Sequence, residues 1–189
     1  LIAMLGGVSQ EPARSVAAGA TPRAAASVPS DTRQRQTSRS LSMKSSKLHS
    51  TPFALLGVTS RDDRRKIVDQ AEHKSLELNA DDCQKARSDL TNPRNRLAAE
   101  IAWLPGVSPR RASQLLDGLL ADAMAIRGET GLPTLAHCNL LAAAFEAIPS
   151  SHPPEDVAEF IQELASLVDD LDVDEVIRDI NEDRTISGF

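Results

Sequence analysis

The fold of this chain is decided by residues 51–106, TPFALLGVTSRDDRRKIVDQAEHKSLELNADDCQKARSDLTNPRNRLAAEIAWLPG. Thr51 is a residue type that caps helix N-termini, and Pro52 suits the first helical position. Gly57 is typical of a residue that ends a helix. The stretch therefore opens with a short predicted helix whose apolar side chains face a core.

A longer second helix is predicted after this opening. Ser60 or Asp62 is expected to cap it, and the helix is expected to run to about Asn79. Its apolar residues recur at intervals of one to five positions, which places them largely on one helical face. These residues are Ile67, Val68, Ala71, Leu76 and Leu78.

A third helix follows a break at residues 79–81, with Asp81 or Asp82 as its expected cap. Asn92 and Pro93 interrupt this helix, and Pro93 suits the first position of a restarted one. Pro105-Gly106 ends the unit. Its predicted core comprises Phe53, Leu56, Ile67, Ala71, Leu90, Leu97 and Ile101.

The rest of the chain also predicts helices and shows no strand pattern. Aromatic residues make up only 3% of the chain, with no Tyr and one Trp, so aliphatic residues must fill the core. Helices are predicted at 109–120, 132–148, 154–171 and 174–181. The last long segment is amphipathic, through Val157, Phe160, Ile161, Leu164, Leu167, Val168 and Leu171. These residues are expected to cover the 132–148 helix, or to bind a partner helix or peptide.

The predicted fold class is therefore all-α, in three parts. Residues 1–50 are expected to be a disordered arm or a spurious extension, with Met43 as a plausible initiator. A transit peptide is the alternative, because this stretch is rich in Arg and Ser and poor in acids. Residues 51–106 form a helical hairpin unit, and residues 107–189 form a helical C-terminal region. No apolar run approaches the roughly 20 residues that span a bilayer.

Charge is distributed unevenly along the chain. Residues 1–49 carry seven Lys and Arg against two acids, residues 50–154 carry twelve against thirteen, and residues 155–189 carry two against twelve. The predicted folded part is thus neutral to acidic, whereas a nucleic-acid-binding domain presents a basic face. We expect neither nucleic acid nor a membrane to be the main partner.

Residues 53–58, FALLGV, together with Ala86, Leu90, Asn92-Pro93 and Arg96, make the 51–106 segment similar to a J domain, the signature of DnaJ-type co-chaperones. The order and spacing of these residues carry the resemblance, which covers about 55 residues. It implies a helical hairpin that binds a DnaK-type chaperone. The basic residues Arg64, Arg65 and Lys66 match the flank of the family's second helix that faces the chaperone; a solvated helix face is the alternative.

The chain departs from the family at its most characteristic motif. Where the family carries His-Pro-Asp after the second helix, this sequence has Asn79, Ala80 and Asp81. Asn cannot titrate near neutral pH as His can, and Ala lacks the fixed φ of Pro. The resemblance therefore implies the scaffold more strongly than the activity. It assigns partner binding to Arg64, Arg65, Lys66, Asn79, Ala80 and Asp81.

No residue pattern predicts catalysis, a metal site or a cofactor. The four His do not pair with other ligands at zinc spacing, and His137-Cys138 are adjacent on a helix, pointing about 100° apart. Cys83 and Cys138 are not spaced as a CxxC pair, and buried free thiols are expected. The acids between Asp169 and Glu175 lack the central Gly of a calcium-binding loop.

The expected function is therefore that of a non-catalytic adaptor or divergent co-chaperone in the cytoplasm, binding a DnaK-type chaperone and an unidentified client protein. An organellar location is the alternative if the arm is a transit peptide. The alternatives for function are a structural subunit of a larger assembly, a co-chaperone similar to those of iron–sulfur assembly, and a metal-dependent hydrolase that uses the acidic helices.

Overall fold

The computed structural model describes residues 46–149 and 151–189. Within these ranges the fold is all-α, as predicted, and contains no strand. Residues 47–50 form a 3-10 turn that packs Leu48 into the core, so order begins before Thr51, contrary to the prediction. The rest of the predicted arm, residues 1–45, lies outside the described ranges.

Four helices form the first half of the fold. They are α1 (Pro52–Leu56), α2 (Arg64–Lys74), α3 (Ala80–Thr91) and α4 (Pro93–Ile101). Helix α3 is central, because α1, α2 and α4 all pack against it. This arrangement is a hairpin of α2 and α3 with α1 laid across it. The number and order of the helices agree with the prediction, but α2 ends at Lys74 and not at about Asn79.

Local signals set the ends of these helices. The Thr51 hydroxyl accepts a hydrogen bond from the Ala54 amide at 3.3 Å, as expected of an N-cap. Gly57, at φ +67°, ends α1 in the left-handed conformation that glycine adopts without strain. Asn92 ends α3 and caps α4, where its Oδ1 accepts from the Arg94 amide at 3.0 Å, and Pro93 occupies the first position as predicted.

The two residues predicted as alternative N-caps of α2 do not cap it. Helix α2 is capped by Asp63, whose Oδ1 accepts from the Lys66 amide at 2.7 Å, and not by Ser60 or Asp62. Both of those residues are buried in other contacts: Ser60 in contacts with the C-terminal helix, and Asp62 as an acceptor from the Thr59 amide.

The second half of the fold is built around α6. It contains α5 (Pro109–Ala121), a 3-10 turn (Ala125–Gly128), α6 (Thr134–Ala147), α7 (Pro154–Asp169) and α8 (Val173–Ser187). Helix α6 packs against α5, α7 and both 3-10 turns. Helix α8 is capped by Asp172, whose Oδ1 accepts from the Asp174 amide, and it extends beyond the predicted end at Asn181.

One continuous apolar core joins the two halves, from Leu48 to Phe160. Phe53 stacks on Trp103 with ring centroids 5.5 Å apart, and both rings are buried. Asn139 of α6 donates to the carbonyl oxygens of Ile101 and Trp103 at 2.8 and 2.7 Å, which satisfies the end of α4. The predicted boundary at Gly106 stays a prediction. None of the helices in the described ranges is long and apolar enough to cross a membrane.

The predicted core of the hairpin is correct at five positions and wrong at two. The five buried residues are Phe53, Leu56, Ile67, Ala71 and Leu90. Leu97 and Ile101 are instead 40% and 46% exposed. Helix α4 is oriented so that the side chains of Arg96, Ala99 and Glu100 face the core. The spacing of the apolar residues alone does not show that this is the buried face.

Replacement of the fully buried Leu90 by Ala should lower the free energy of unfolding by about 2–5 kcal/mol, because it removes apolar contacts and leaves a cavity. The same change at the half-exposed Leu97 is the matched control and should cost below about 1 kcal/mol. Urea denaturation of both variants measures the difference. Equal losses of unfolding free energy in the two variants would contradict the orientation of α4, in which Leu97 faces solvent.

Candidate functional site

The first turn of α2 carries three consecutive cations that point toward solvent. Arg65 is paired only with Asp69, at 3.9 Å, and its side chain is 90% exposed. Lys66 is held more closely, with its Nζ 2.7 Å from Asp62 Oδ1. Arg64 is exposed and makes no ion pair with the described residues. This turn therefore presents two guanidinium groups that the fold barely uses.

Helix electrostatics make this placement unfavourable. The N-terminus of a helix carries a partial positive charge, so each cation in the first turn costs about 0.3–1 kcal/mol at an exposed site. No acidic residue lies in the first turn of α2 to compensate. The cap from Asp63 and the Asp62–Lys66 pair offset part of this cost. The positions of Arg64 and Arg65 are thus not explained by stability.

The predicted tripeptide equivalent is not a free loop. Asn79 caps α3, and its Oδ1 accepts from the Asp81 and Asp82 amides at 2.8 and 3.3 Å. The prediction that Asp81 or Asp82 is the cap is wrong, because α3 begins at Ala80. Asp81 and Asp82 occupy its first turn, where a negative charge complements the helix dipole.

The structure does not bring the six predicted partner-binding residues into one cluster. Arg64, Arg65 and Lys66 lie at the start of α2, whereas Asn79, Ala80 and Asp81 lie beyond its other end. The remaining eight residues of α2, 67–74, separate the two groups, and at 1.5 Å per residue they span about 12 Å. All six residues are exposed, so each group is accessible to a partner.

Sequence reasoning missed the exposure of two apolar residues between α2 and α3. Leu76 and Leu78 were assigned to the buried face of α2, but α2 ends at Lys74. Leu76 is 84% exposed and Leu78 is 45% exposed. The signal that could have shown this is Asn79, because a cap at that position leaves no room for a helix to continue through Leu78. We call residues 75–79 the hairpin tip.

A second group of polar residues, hidden in the interior, holds the C-terminal helix. Glu100 accepts from Arg96 Nε at 2.7 Å through one oxygen and from Arg184 Nε at 2.9 Å through the other. Arg96 and Glu100 are each only 1% exposed. Burial lowers the pKa of the Arg96 guanidinium, which the bond to Glu100 opposes. Both charges of this pair are therefore compensated within the fold.

Asp183 of α8 binds the first half of the fold through its carboxylate. Its carboxylate is fully buried and accepts from Ser60 Oγ at 2.6 Å, Arg61 Nε at 2.7 Å and the Gly106 amide at 2.9 Å. Gly106 has φ +75°, and a Cβ there would lie 2.8 Å from Pro133 Cγ, so glycine is required. We call Ser60, Arg61, Arg96, Glu100, Asp183 and Arg184 the ionic cluster.

The guanidinium of Arg96 is also covered by an aromatic ring. Its Cζ lies 3.6 Å from the centroid of Phe189. Its Nη2 donates to the Ser60 carbonyl at 2.7 Å. Arg96 was noted only for its resemblance to a family residue, and its buried role was missed. Its spacing of four from Glu100 was the available signal, because such residues face each other on a helix.

Two kinds of reactive site are relevant to the described residues, a metal centre and a reactive thiol. No group of three or more His, Cys, Asp and Glu side chains within them could hold a metal ion. Cys83 and Cys138 are free and buried, which confirms the prediction for both thiols. Burial raises the pKa of the Cys138 thiol and lowers that of the neighbouring His137. The thiol is therefore not activated as a thiolate nucleophile.

Comparison of the chain with protein-family models, with curated proteins and with solved structures finds no match.

Replacement of Asp183 by Ala should lower the free energy of unfolding by about 3 kcal/mol, because it leaves Arg61 and the Gly106 amide without their buried acceptor. The neighbouring Glu182 is the control. Its 3.7 Å contact with Arg61 is solvent-exposed, so Glu182→Gln should cost less than about 1 kcal/mol. Thermal and urea unfolding measure both. A neutral Asp183→Ala would show that the ionic cluster does not hold α8.

Replacement of Asp179 by Asn should raise the melting temperature at neutral pH. Burial, with Glu175, Asp183 and Glu182 nearby, raises the pKa of the Asp179 carboxyl. A raised pKa means that ionisation opposes folding, so this carboxylate destabilises the fold above its folded pKa. The gain should disappear below about pH 3, where the unfolded carboxyl is also protonated. A lower melting temperature at neutral pH would contradict this environment.

Proposed function

We propose that this protein is a non-catalytic, J-domain-like adaptor that binds a DnaK-type chaperone through α2 and the hairpin tip. The observation that carries the proposal is the pair Arg64 and Arg65, which oppose the helix dipole yet remain open to solvent. Residues kept where they reduce stability are typical of functional sites. Their charge suits an acidic surface on the partner.

The scaffold supports the same proposal. Helices α1 and α2 both pack on α3, so α2 is anchored on one side through the buried Ile67 and Ala71. Arg65 lies about half a helical turn away from Ile67, on the opposite side of α2. A partner can therefore approach α2 without disturbing the core.

The hairpin tip adds an apolar contact at the far end of α2. Leu76 and Leu78 are both exposed, so a partner that covers them gains from the burial of their apolar surface. Asn79 is committed to capping α3, and Ala80 is helical. The tip therefore lacks a titratable group where the family has His. We propose that the protein docks on the chaperone and stimulates its ATPase only weakly.

The adaptor is proposed to act in the cytoplasm. Its two free thiols, Cys83 and Cys138, suit a reducing compartment. The client remains to be identified by what copurifies with the complex.

Reversal of charge at Arg64 and Arg65 to Glu should weaken binding to a purified DnaK-type chaperone by about tenfold or more. The same change places acids at the positive end of α2, so it should leave the melting temperature unchanged or raise it. Because the melting temperature should not fall, unfolding of the variant cannot explain a loss of chaperone binding. Biolayer interferometry with ATP present, beside thermal unfolding, measures both.

Arg94→Glu is the matched control, because Arg94 is an exposed cation in the first turn of α4. It should alter neither chaperone binding nor the weak ATPase stimulation. A second variant, with Leu76 and Leu78 both changed to Ser, should reduce binding without lowering stability. Absence of binding by the unaltered protein would reject the chaperone as partner. A large native complex without chaperone would then favour the structural-subunit alternative.

A further inference from the structure

The last two helices leave four branched apolar side chains partly exposed. Ile161 and Val168 of α7 are 50% and 44% exposed. Val173 and Ile177 of α8 are 65% and 52% exposed. Val and Ile side chains have few rotamers, so they lose little conformational entropy when they pack against a partner. The burial of their apolar surface is favourable. We call Ile161 and Val168, which lie on one flank of α7, the C-terminal apolar row.

The row lies beside the packed face of α7, not within it. Phe160 is buried against α6, where its ring centroid lies 5.9 Å from that of Phe145. Leu164 and Leu167 are half-buried against the same core. Ile161 and Val168 are seven residues apart, so they share a flank two turns long. Helix α7 therefore offers a second apolar side after its own packing is complete.

The charge around the row selects the partner. Residues 155–189 carry twelve acids and two arginines. Arg184 is bound to the buried Glu100, and Arg127, from outside the segment, pairs with Glu159 and Glu163 of α7. Three further acids of α7 and its C-terminal end, Glu155, Asp169 and Asp170, have no Lys or Arg partner among the described residues and leave this surface acidic. A second copy of this segment would be repelled by its like charge, and so would nucleic acid. A helix with a basic face and an apolar face would be attracted by both features.

We propose that the C-terminal apolar row and the acids around it bind a basic amphipathic helix of another protein. The apolar face of that helix covers Ile161 and Val168, and its Lys or Arg residues lie among the surrounding carboxylates. This surface is on α7, whereas the proposed chaperone site is on α2 and the hairpin tip. The two proposals therefore stand or fall separately.

The test uses the full chain and a labelled synthetic helix of about 18 residues, with Leu on one face and Lys on the other. Fluorescence anisotropy should show micromolar binding that weakens markedly as salt is raised, because exposed charges are screened. Changing Ile161 and Val168 together to Ser should weaken binding by about tenfold. Thermal unfolding of this variant confirms that it remains folded.

Two controls separate this interaction from attraction by charge alone. Ile186→Ser removes an exposed isoleucine about half a turn away from Val173 and Ile177 around α8, and it should leave binding unchanged. A peptide with the same Lys residues but Ser in place of Leu should bind much more weakly. Equal binding of the two peptides would overturn the proposal. So would a dimer of the protein alone that the Ile161 and Val168 change abolishes, because the occupant would then be a second copy.

Discussion

The fold depends on the burial of a charged pair, Arg96 and Glu100, on the inner face of α4. Two buried charges are costly unless each is compensated, and here α8 supplies Arg184 while the loop before α2 supplies the Ser60 carbonyl. Asp183 completes the arrangement from the other side of the interface. Helix α8 contributes only one fully buried apolar residue, Ile180, so polar contacts provide most of its attachment.

The sequence predictions that succeeded rest on local signals. Thr51, Gly57 and the Asn92-Pro93 pair act on backbone groups within a few residues of themselves. Their effect is therefore local, and the helix ends that they set were predicted correctly. The all-α class followed from the same signals. The C-terminal apolar stripe was correct at Phe160, which is buried against α6.

The failures have a shared physical cause. Leu97 and Ile101 look like core residues in α4 because they are apolar, but the buried face of α4 instead carries Arg96 and Glu100. Glu100 is compensated by Arg184 of α8, which lies some 80 residues away in the sequence. Leu76 looks like part of an amphipathic helix, but the cap at Asn79 prevents the helix from reaching it. Long-range partners and competing local caps decide these positions. The six candidate site residues are exposed, and their function remains a prediction.

The ionic cluster has a consequence for how this sequence can change over time. An apolar core tolerates single substitutions of similar volume, because its contacts have no direction. The pairs Glu100–Arg184 and Arg61–Asp183 join opposite charges through bonds of fixed geometry, so a change at one member strands the other. Homologous chains should therefore alter these positions in pairs. We expect correlated substitutions at positions 100 and 184, and at positions 61 and 183, wherever α8 is held by these ion pairs.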